Sequence, residues 1–290
     1  FYTNAMQVKN NFSHADMENA RSGWFECSCC PTNLVRLIPS IPGYVYAQQN
    51  DKLFVNLFIN SNTSLNVNGK QVAIEQQNNY PWNGDLKFII NPNNATEFSL
   101  MLRIPGWAKG EAVPSDLYAF INNTNDKIKI TVNGNDVDYA VQNGYAVIKK
   151  LWKQGDVVAM SLPMPVQQIA SNKNIKGNIG KTALQRGPLV YCAEFADNNG
   201  KTSNIILPAN TSFTTAFQPN LLNGVTVIKA SIPVIDVDDK GLNVSTTIKD
   251  FTAIPYYSWA NRGKGEMIIW MPNKITNLDI ITTSTCKLPG

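Results

Sequence analysis

The 290-residue sequence predicts a mainly β chain, with two β-sandwich domains preceded by a short helical stub. Three observations carry this. From residue 44 onward, β-branched and aromatic runs recur at roughly 8–12-residue spacing with Asn, Gly and Asp turns between them. The 18 glycines and 16 prolines are spread along the chain, as many short strands and turns require. Only one stretch has helical periodicity. It opens on Pro31, carries an apolar stripe at Leu34, Val35 and Ile38, and is expected to stop at Pro39 and Pro42.

Residues 1–43 form the stub, whose first 30 residues are polar and aromatic without a period. In the first sandwich, residues 44–165, the runs Gly43-Tyr-Val-Tyr-Ala, Leu53-Phe-Val-Asn-Leu-Phe-Ile, Leu86-Lys-Phe-Ile-Ile and Glu97-Phe-Ser-Leu-Met-Leu-Arg-Ile read as strands. Turns fall at Asn68-Gly69 and Asn83-Gly84-Asp85. Ile128-Lys-Ile-Thr-Val, a turn at Asn133-Gly134 and the stretch from Val137 to Val141 read as a hairpin, followed by Gly144-Tyr-Ala-Val-Ile-Lys and Asp156-Val-Val-Ala-Met-Ser-Leu. Two prolines in Leu162-Pro-Met-Pro165 close the set. The second sandwich, residues 166–290, runs from Thr182-Ala-Leu-Gln-Arg-Gly-Pro-Leu-Val-Tyr-Cys-Ala-Glu to Glu266-Met-Ile-Ile-Trp-Met.

Composition narrows the function classes. Apolar residues make up 43% and charged residues 16%, and 25 Lys+Arg against 21 Asp+Glu leave a net charge of +4. That is too apolar for disorder and too weakly charged for a nucleic-acid tail. Basic residues such as Lys149-Lys150 are not interleaved with aromatics, so no nucleic-acid partner is expected. No apolar run approaches the roughly 18 residues of a membrane-spanning helix, and no membrane partner is expected. The only histidine, His14, sits in polar Asn11-Phe-Ser-His-Ala-Asp and reads as a loop residue; polyhistidine metal sites are ruled out. The chain does not begin with Met, and Phe1 to Gln7 has none of the marks of a secretion signal, so it is expected to be part of a longer protein.

Three of the five cysteines fall in Trp24-Phe-Glu-Cys-Ser-Cys-Cys-Pro-Thr-Asn. Cys29 and Cys30 precede the Pro31 helix, where unpaired N–H groups and the positive end of the helix dipole favour a thiolate, the nucleophilic and metal-binding form. Adjacent cysteines do not readily pair with each other. Two readings stay open on spacing alone: reactive or metal-binding thiols, or structural cysteines, including disulfides to Cys192 and Cys286. A zinc site wants four ligands and the cluster offers two or three, with Glu26 a poorly aimed fourth.

Arg21-Ser-Gly-Trp-Phe-Glu-Cys-Ser-Cys-Cys-Pro-Thr-Asn-Leu-Val-Arg resembles the signature of glycoside hydrolase families 127 and 146, the β-L-arabinofuranosidases, formerly a domain of unknown function numbered 1680. The resemblance continues in the same order through Tyr80-Pro-Trp-Asn-Gly, Leu102-Arg-Ile-Pro-Gly-Trp-Ala, Val113-Pro-Ser-Asp-Leu-Tyr, Trp152-Lys-Gln-Gly-Asp, Ala183-Leu-Gln-Arg-Gly-Pro-Leu-Val-Tyr-Cys-Ala-Glu and Ala253-Ile-Pro-Tyr-Tyr-Ser-Trp-Ala-Asn-Arg-Gly. It implies an α/α toroid catalytic domain followed by β-sandwiches, residues 1–43 being the toroid's C-terminal end. It also implies that Cys29 is the nucleophile of a retaining hydrolase and Cys30 a zinc ligand, with the Cys29 sulfur touching the metal. Cys27 matches a position often occupied by Cys outside the zinc shell. The family's acid/base glutamate and its remaining zinc ligands, a Glu and a Cys, match nothing here; Glu18 and Glu26 are given no role. The zinc site is therefore expected to be incomplete, and the chain alone inactive.

The expected partners are an arabinose-containing oligo- or polysaccharide and the N-terminal catalytic domain, with a homodimer left open. The alternative is a non-catalytic carbohydrate-binding or structural β-sandwich module, which has no need of a vicinal thiol pair at a helix start. Arg103, Trp107 and Trp259 read as packing residues, the first two against the toroid, in preference to a sugar platform. Cys192, alternating in an apolar strand, reads as core, and Arg186-Gly187-Pro188 as a turn. The compartment, bacterial periplasm or cytoplasm, is not fixed by the sequence.

Overall fold

The computed structural model describes residues 5–9, 21, 29–122, 124, 126–237 and 244–278; the side chains of Cys29 and Cys30 fall outside that description. His14, Glu18, Glu26, Cys27 and Cys286 also lie outside the described residues. The chain is mostly β, with few helices and sheets stacked as sandwiches. It divides into two compact units. One comprises residues 24–114 and 123–165, and the other residues 1–23, 115–122 and 166–290. The detour of 115–122 into the second unit corrects the reading of 44–165 as one continuous piece. Its strand Tyr118–Phe120 forms the sheet edge beside Val166–Ser171, a pairing between segments too far apart in sequence for any local signal.

The first unit is a two-sheet sandwich. Six strands run in the order Asn135–Asp136, Lys129–Val132, Asp156–Ser161, Asp85–Pro92, Lys70–Asn78, Ser61–Val67. Five run in the order Ala140–Gln142, Tyr145–Trp152, Thr96–Arg103, Lys52–Val55, Tyr46–Gln49. Strand residues alternate between solvent and core, so Leu86, Phe88 and Ile90 from one sheet meet Phe98, Leu100 and Leu102 from the other in a single buried cluster. Trp152 is fully buried there, its indole N–H donating to the Phe98 carbonyl at 3.0 Å. Both Asn68-Gly69 and Asn133-Gly134 take positive φ at both residues, the twist-matched geometry of a two-residue hairpin loop. Gly84 is required by close approach: a Cβ there would lie 1.9 Å from the Leu162 carbonyl oxygen.

Three local expectations are corrected. Residues Pro42–Val45 form a helical turn, with the proline at its start, so the strand expected from Gly43 begins only at Tyr46. After Asn133-Gly134 the return strand spans only Asn135–Asp136; Ala140–Gln142 leaves for the other sheet and pairs with Tyr145–Trp152 across a second Asn-Gly turn, Asn143-Gly144. The run Glu266 to Met271 is split into two short strands, Met267–Ile268 and Met271–Pro272, which pair with different neighbours.

Asp156 ties the first unit's turns together. Its carboxylate accepts from Asn133 Nδ2 at 2.8 Å, the Lys153 backbone N–H at 2.9 Å and Lys150 Nζ at 3.1 Å. Burial alone would raise its pKa, but these three donors outweigh it and hold the carboxyl below the usual carboxylate range. A depressed folded-state pKa contributes stability that is present above the unfolded value, about 3.9, and is lost as pH falls through the folded value. In urea titrations between roughly pH 5 and pH 2, the wild-type midpoint should therefore fall more steeply than that of Asp156→Asn. Equal slopes would remove Asp156 from the acid limb.

In the second unit the main sheet runs Thr214–Gln218, Val225–Val237, Val244–Pro255, Leu189–Glu194, Lys181–Arg186, Val166–Ser171, Tyr118–Phe120. The Gly187-Pro188 turn joins Lys181–Arg186 to Leu189–Glu194 with Gly187 at φ 54°, as the sequence suggests. Tyr191, Ile228, Phe251, Ala253 and Met271 form its core. Burial pushes the Tyr191 phenol up to about 12, and its hydroxyl donates to the Thr226 carbonyl at 2.9 Å.

Candidate functional site

The thiol pair is carried by the helix Cys29–Ser40, which is longer at both ends than the sequence indicates. Cys29 and Cys30 lie within its first turn, not ahead of it. Pro31 is tolerated third because the first four N–H groups of a helix have no internal partner to lose. Pro39 does not stop the helix: near the C-terminus its missing N–H removes only one bond, and the helix runs on to Ser40, whose hydroxyl donates to the Leu37 carbonyl at 2.7 Å. No acidic residue occupies the first turn. The first turn thus carries no carboxylate of its own to oppose the positive end of the helix dipole.

The same helix is exposed along its length. Leu34 and Val35 are 57% and 70% exposed, and Leu37 and Ile38 are exposed as well. Four large apolar side chains on one short helix form a face that buries little against the described residues.

Arg21, which opens the family-like block in the sequence, is tied to the segment 257–260. Its backbone N–H donates to the Ala260 carbonyl at 3.2 Å, Nε to Trp259 O at 2.9 Å, and a terminal guanidinium nitrogen to Tyr257 O at 2.6 Å. Ala260 is held in the left-handed region at φ 62°, with its own N–H donating to Glu194 Oε1 at 2.8 Å. The same Glu194 belongs to a partly buried ion cluster. Arg262 Nε donates to Glu194 Oε2 at 3.0 Å and Nη1 to Asp197 Oδ1 at 2.8 Å, with further contacts from Nη2 to both carboxylates. Hydrogen bonds donated to Asp197 and Glu194 hold the guanidinium charged against the cost of burial. Arg21, Glu194 and Arg262 received no role from the sequence. Each lies in a block that resembles the family, but nothing local marks a carboxylate and an arginine so far apart in sequence as partners.

Trp259 is buried and stacks with Tyr256 at 6.4 Å, so the packing reading holds. Trp107 is half-buried on the core of its own sandwich, beside Tyr80, and Arg103 is exposed. Burial chiefly raises the Tyr80 pKa, with the Trp107 hydrogen bond and the Arg103 charge opposing it. Cys192 is a fully buried free thiol, which removes the disulfide alternative for it; burial, then the Glu194 charge, pushes its pKa well up, leaving it inert. Among the described residues no three His, Cys, Asp or Glu side chains gather as a metal site, and no helix is long and apolar enough to cross a membrane.

Two family models match in succession. Residues 52–164 match the β-L-arabinofuranosidase GH127 middle domain, and residues 166–272 match the glycoside hydrolase family 127 C-terminal domain. The chain belongs to glycoside hydrolase family 127. It is 31% identical to a non-reducing end β-L-arabinofuranosidase of Bifidobacterium longum subsp. longum, over 93% of this chain and 41% of that protein. A solved GH127 β-arabinofuranosidase superposes on 96% of this chain with TM-score 0.89 and 37% identity, covering 42% of that structure. The GH127 β-L-arabinofuranosidase of Geobacillus stearothermophilus T6 covers 94% of this chain with TM-score 0.81 and 38% identity, again over 42% of its own length. The chain thus spans about two fifths of the length of these relatives.

Proposed function

We propose that this family 127 chain is the C-terminal portion of a retaining β-L-arabinofuranosidase, with Cys29 as nucleophile and Cys30 as a zinc ligand, the Cys29 sulfur also touching the metal. The observation that supports this reading is the opening of the helix Cys29–Ser40 on Cys-Cys-Pro, at the end of a helix where a thiolate is favoured. Two thiolates suit zinc in kind but not in number, since a tetrahedral shell takes four ligands. The remaining Glu and Cys ligands and the acid/base glutamate are assigned to the rest of the protein, whose helices would also cover Leu34, Val35, Leu37 and Ile38.

The chemistry assigned to this chain is a double displacement. The Cys29 thiolate attacks the anomeric carbon as the glycosidic oxygen leaves with a proton from the general acid, giving a thioglycosyl intermediate. Water then attacks the same carbon, the sulfur departs as thiolate, and two inversions restore the configuration. When bound, zinc would keep the sulfur deprotonated and make it less basic, and so a better leaving group. The substrate is an arabinose-containing glycan.

Metal analysis of the full-length protein tests the reading. Cys30→Ser should lose most of the zinc that the wild type retains, and unchanged zinc content would overturn the assignment. The 290-residue chain on its own should release no L-arabinose from a β-L-arabinofuranoside; release at a rate matching the full-length enzyme would refute the incomplete-site reading.

A further inference from the structure

We propose that the open edge of the strand Val244–Pro255, in the second unit, pairs with the same edge of a second copy of this chain, joining two sheets across a two-fold axis. The strand register carries the argument. Val244–Pro255 pairs with Val225–Val237 without a break, from Val244 opposite Val237 to Ala253 opposite Ile228. On its outer side the strand Leu189–Glu194 reaches only as far as Ala253, and Asn198 closes the next position. The Asn198 side chain donates to the Thr252 carbonyl at 2.9 Å and accepts from the Thr252 N–H at 3.2 Å. The backbone groups of Thr252 therefore point outward, and with a period of two so do those of Asp250, Ile248, Thr246 and Val244. Among the described residues nothing pairs with these four. The far edge of the same strand pair is closed: Ile235 N–H donates to the Asn204 carbonyl at 3.0 Å, and Ile206 N–H to the Pro233 carbonyl at 3.0 Å.

The usual guards of a strand edge are missing here. No proline or bulge interrupts 244–250. Its one lysine, Lys249, lies on the opposite sheet face and is held by Asp236 at 2.8 Å, with the Thr247 hydroxyl donating to the same carboxylate at 2.9 Å. Val244, Thr246 and Ile248 are exposed, Ile248 at 66%. They share one face with Val237 and Pro233, the cross-strand partners of Val244 and Ile248.

An open edge is matched by another extended strand, and self-complementarity selects a second copy. Antiparallel pairing centred on Thr246 sets Thr246 of one copy against Thr246 of the other, and Val244 of each against Ile248 of the other. Directly opposed pairs of this kind exchange both backbone hydrogen bonds, and threonine–threonine and β-branched aliphatic pairs are favourable neighbours. Shifting the register by two residues would set Val244 against Asp250 instead. Residues 244–248 are uncharged and Lys249 is neutralised within its own copy, so like charges do not meet. The joint makes one apolar stripe on each side of the axis, from Val237 and Val244 of one copy to Ile248 and Pro233 of the other. Each copy offers this edge once, so the assembly closes as a dimer. A short edge buries less than the roughly 1,200–2,000 Å² of a stable interface, which makes the dimer a weak one.

The proposal does not depend on the chemistry assigned to Cys29. Sedimentation equilibrium of the 290-residue chain at about 5 μM to 1 mM should show monomer and dimer, with a dissociation constant on the order of 100 μM. Two substitutions should each weaken it about tenfold or more: Ile248→Lys, at an exposed position, and Thr246→Pro, whose outward N–H makes no bond within the chain. An unchanged circular dichroism spectrum of Ile248→Lys reports that the fold is kept. Under oxidising conditions Thr246→Cys should yield two disulfide-linked peptides that both contain residue 246, because opposed Cα atoms about 5.5 Å apart lie within disulfide range. A chain still monomeric at about 1 mM, a dimer equally strong in both variants, or cross-links through other cysteines only would overturn the proposal. So would a monomeric full-length protein whose 244–248 amides resist exchange, since the rest of that protein would then supply the strand on this edge.

Discussion

Replacing Arg262 by methionine is expected to destabilise the second unit by about 3 kcal/mol, enough to lower its melting temperature by roughly 6–12 °C. Methionine keeps much of the aliphatic volume, so the loss isolates charge. Glu194 is only 1% exposed, and its carboxylate would keep the Ala260 N–H while losing its cationic partner. Asp197, in the same cluster, would lose its partner as well. Stranding a buried charge is costlier than the worth of the pair itself, because the desolvation already incurred has nothing left to offset it. A second substitution identifies the cause: Glu194→Gln added to Arg262→Met should recover part of the loss, since an amide tolerates the pocket better than an orphaned carboxylate. A methionine variant within about 0.5 kcal/mol of wild type, the range of an ordinary surface change, would show that the cluster holds nothing together.

How much of this was legible in the sequence follows from the range over which each interaction acts. Asn-Gly pairs at 68–69, 133–134 and 143–144 encode positive φ locally, and all three sit in two-residue turns. The strands Ser61–Val67 and Lys70–Asn78 escaped notice because their outward positions are Ser, Asn, Lys and Gln, which dilute the apolar signal that Val67, Val72 and Ile74 supply on the inner face. At Pro39 a strong local rule was outweighed by position, since near a helix end the proline costs only one bond. The ion cluster and the detour of 115–122 are long-range pairings, and no local pattern foretells them. For the site the asymmetry is sharper. The vicinal cysteines and the proline after them are a local motif and could be read directly. The remaining ligands and the acid assigned to the rest of the protein are not local to that motif, and among the described residues no metal cluster forms.

Cys29→Ala in the full-length protein should lower kcat by roughly four orders of magnitude or more, because alanine leaves no atom to attack the anomeric carbon and the two-step route has no first step. The neighbouring thiol separates the roles. Cys30→Ser should lose zinc and activity together, whereas Cys29→Ala should lose activity while retaining a larger share of the metal through the other ligands. Cys29→Ser sharpens the case further: a hydroxyl occupies nearly the same place, yet its pKa lies far above that of a thiol, so near-complete inactivity is expected despite conserved shape. Intact-mass measurement of the wild type quenched during turnover should find a species heavier by one glycosyl residue, with the modified peptide containing Cys29 and no such species in the alanine variant. If Cys29→Ala retains more than about 1% of wild-type kcat, or if the adduct maps to another residue, the nucleophile lies elsewhere and the thiolate account of this helix terminus fails.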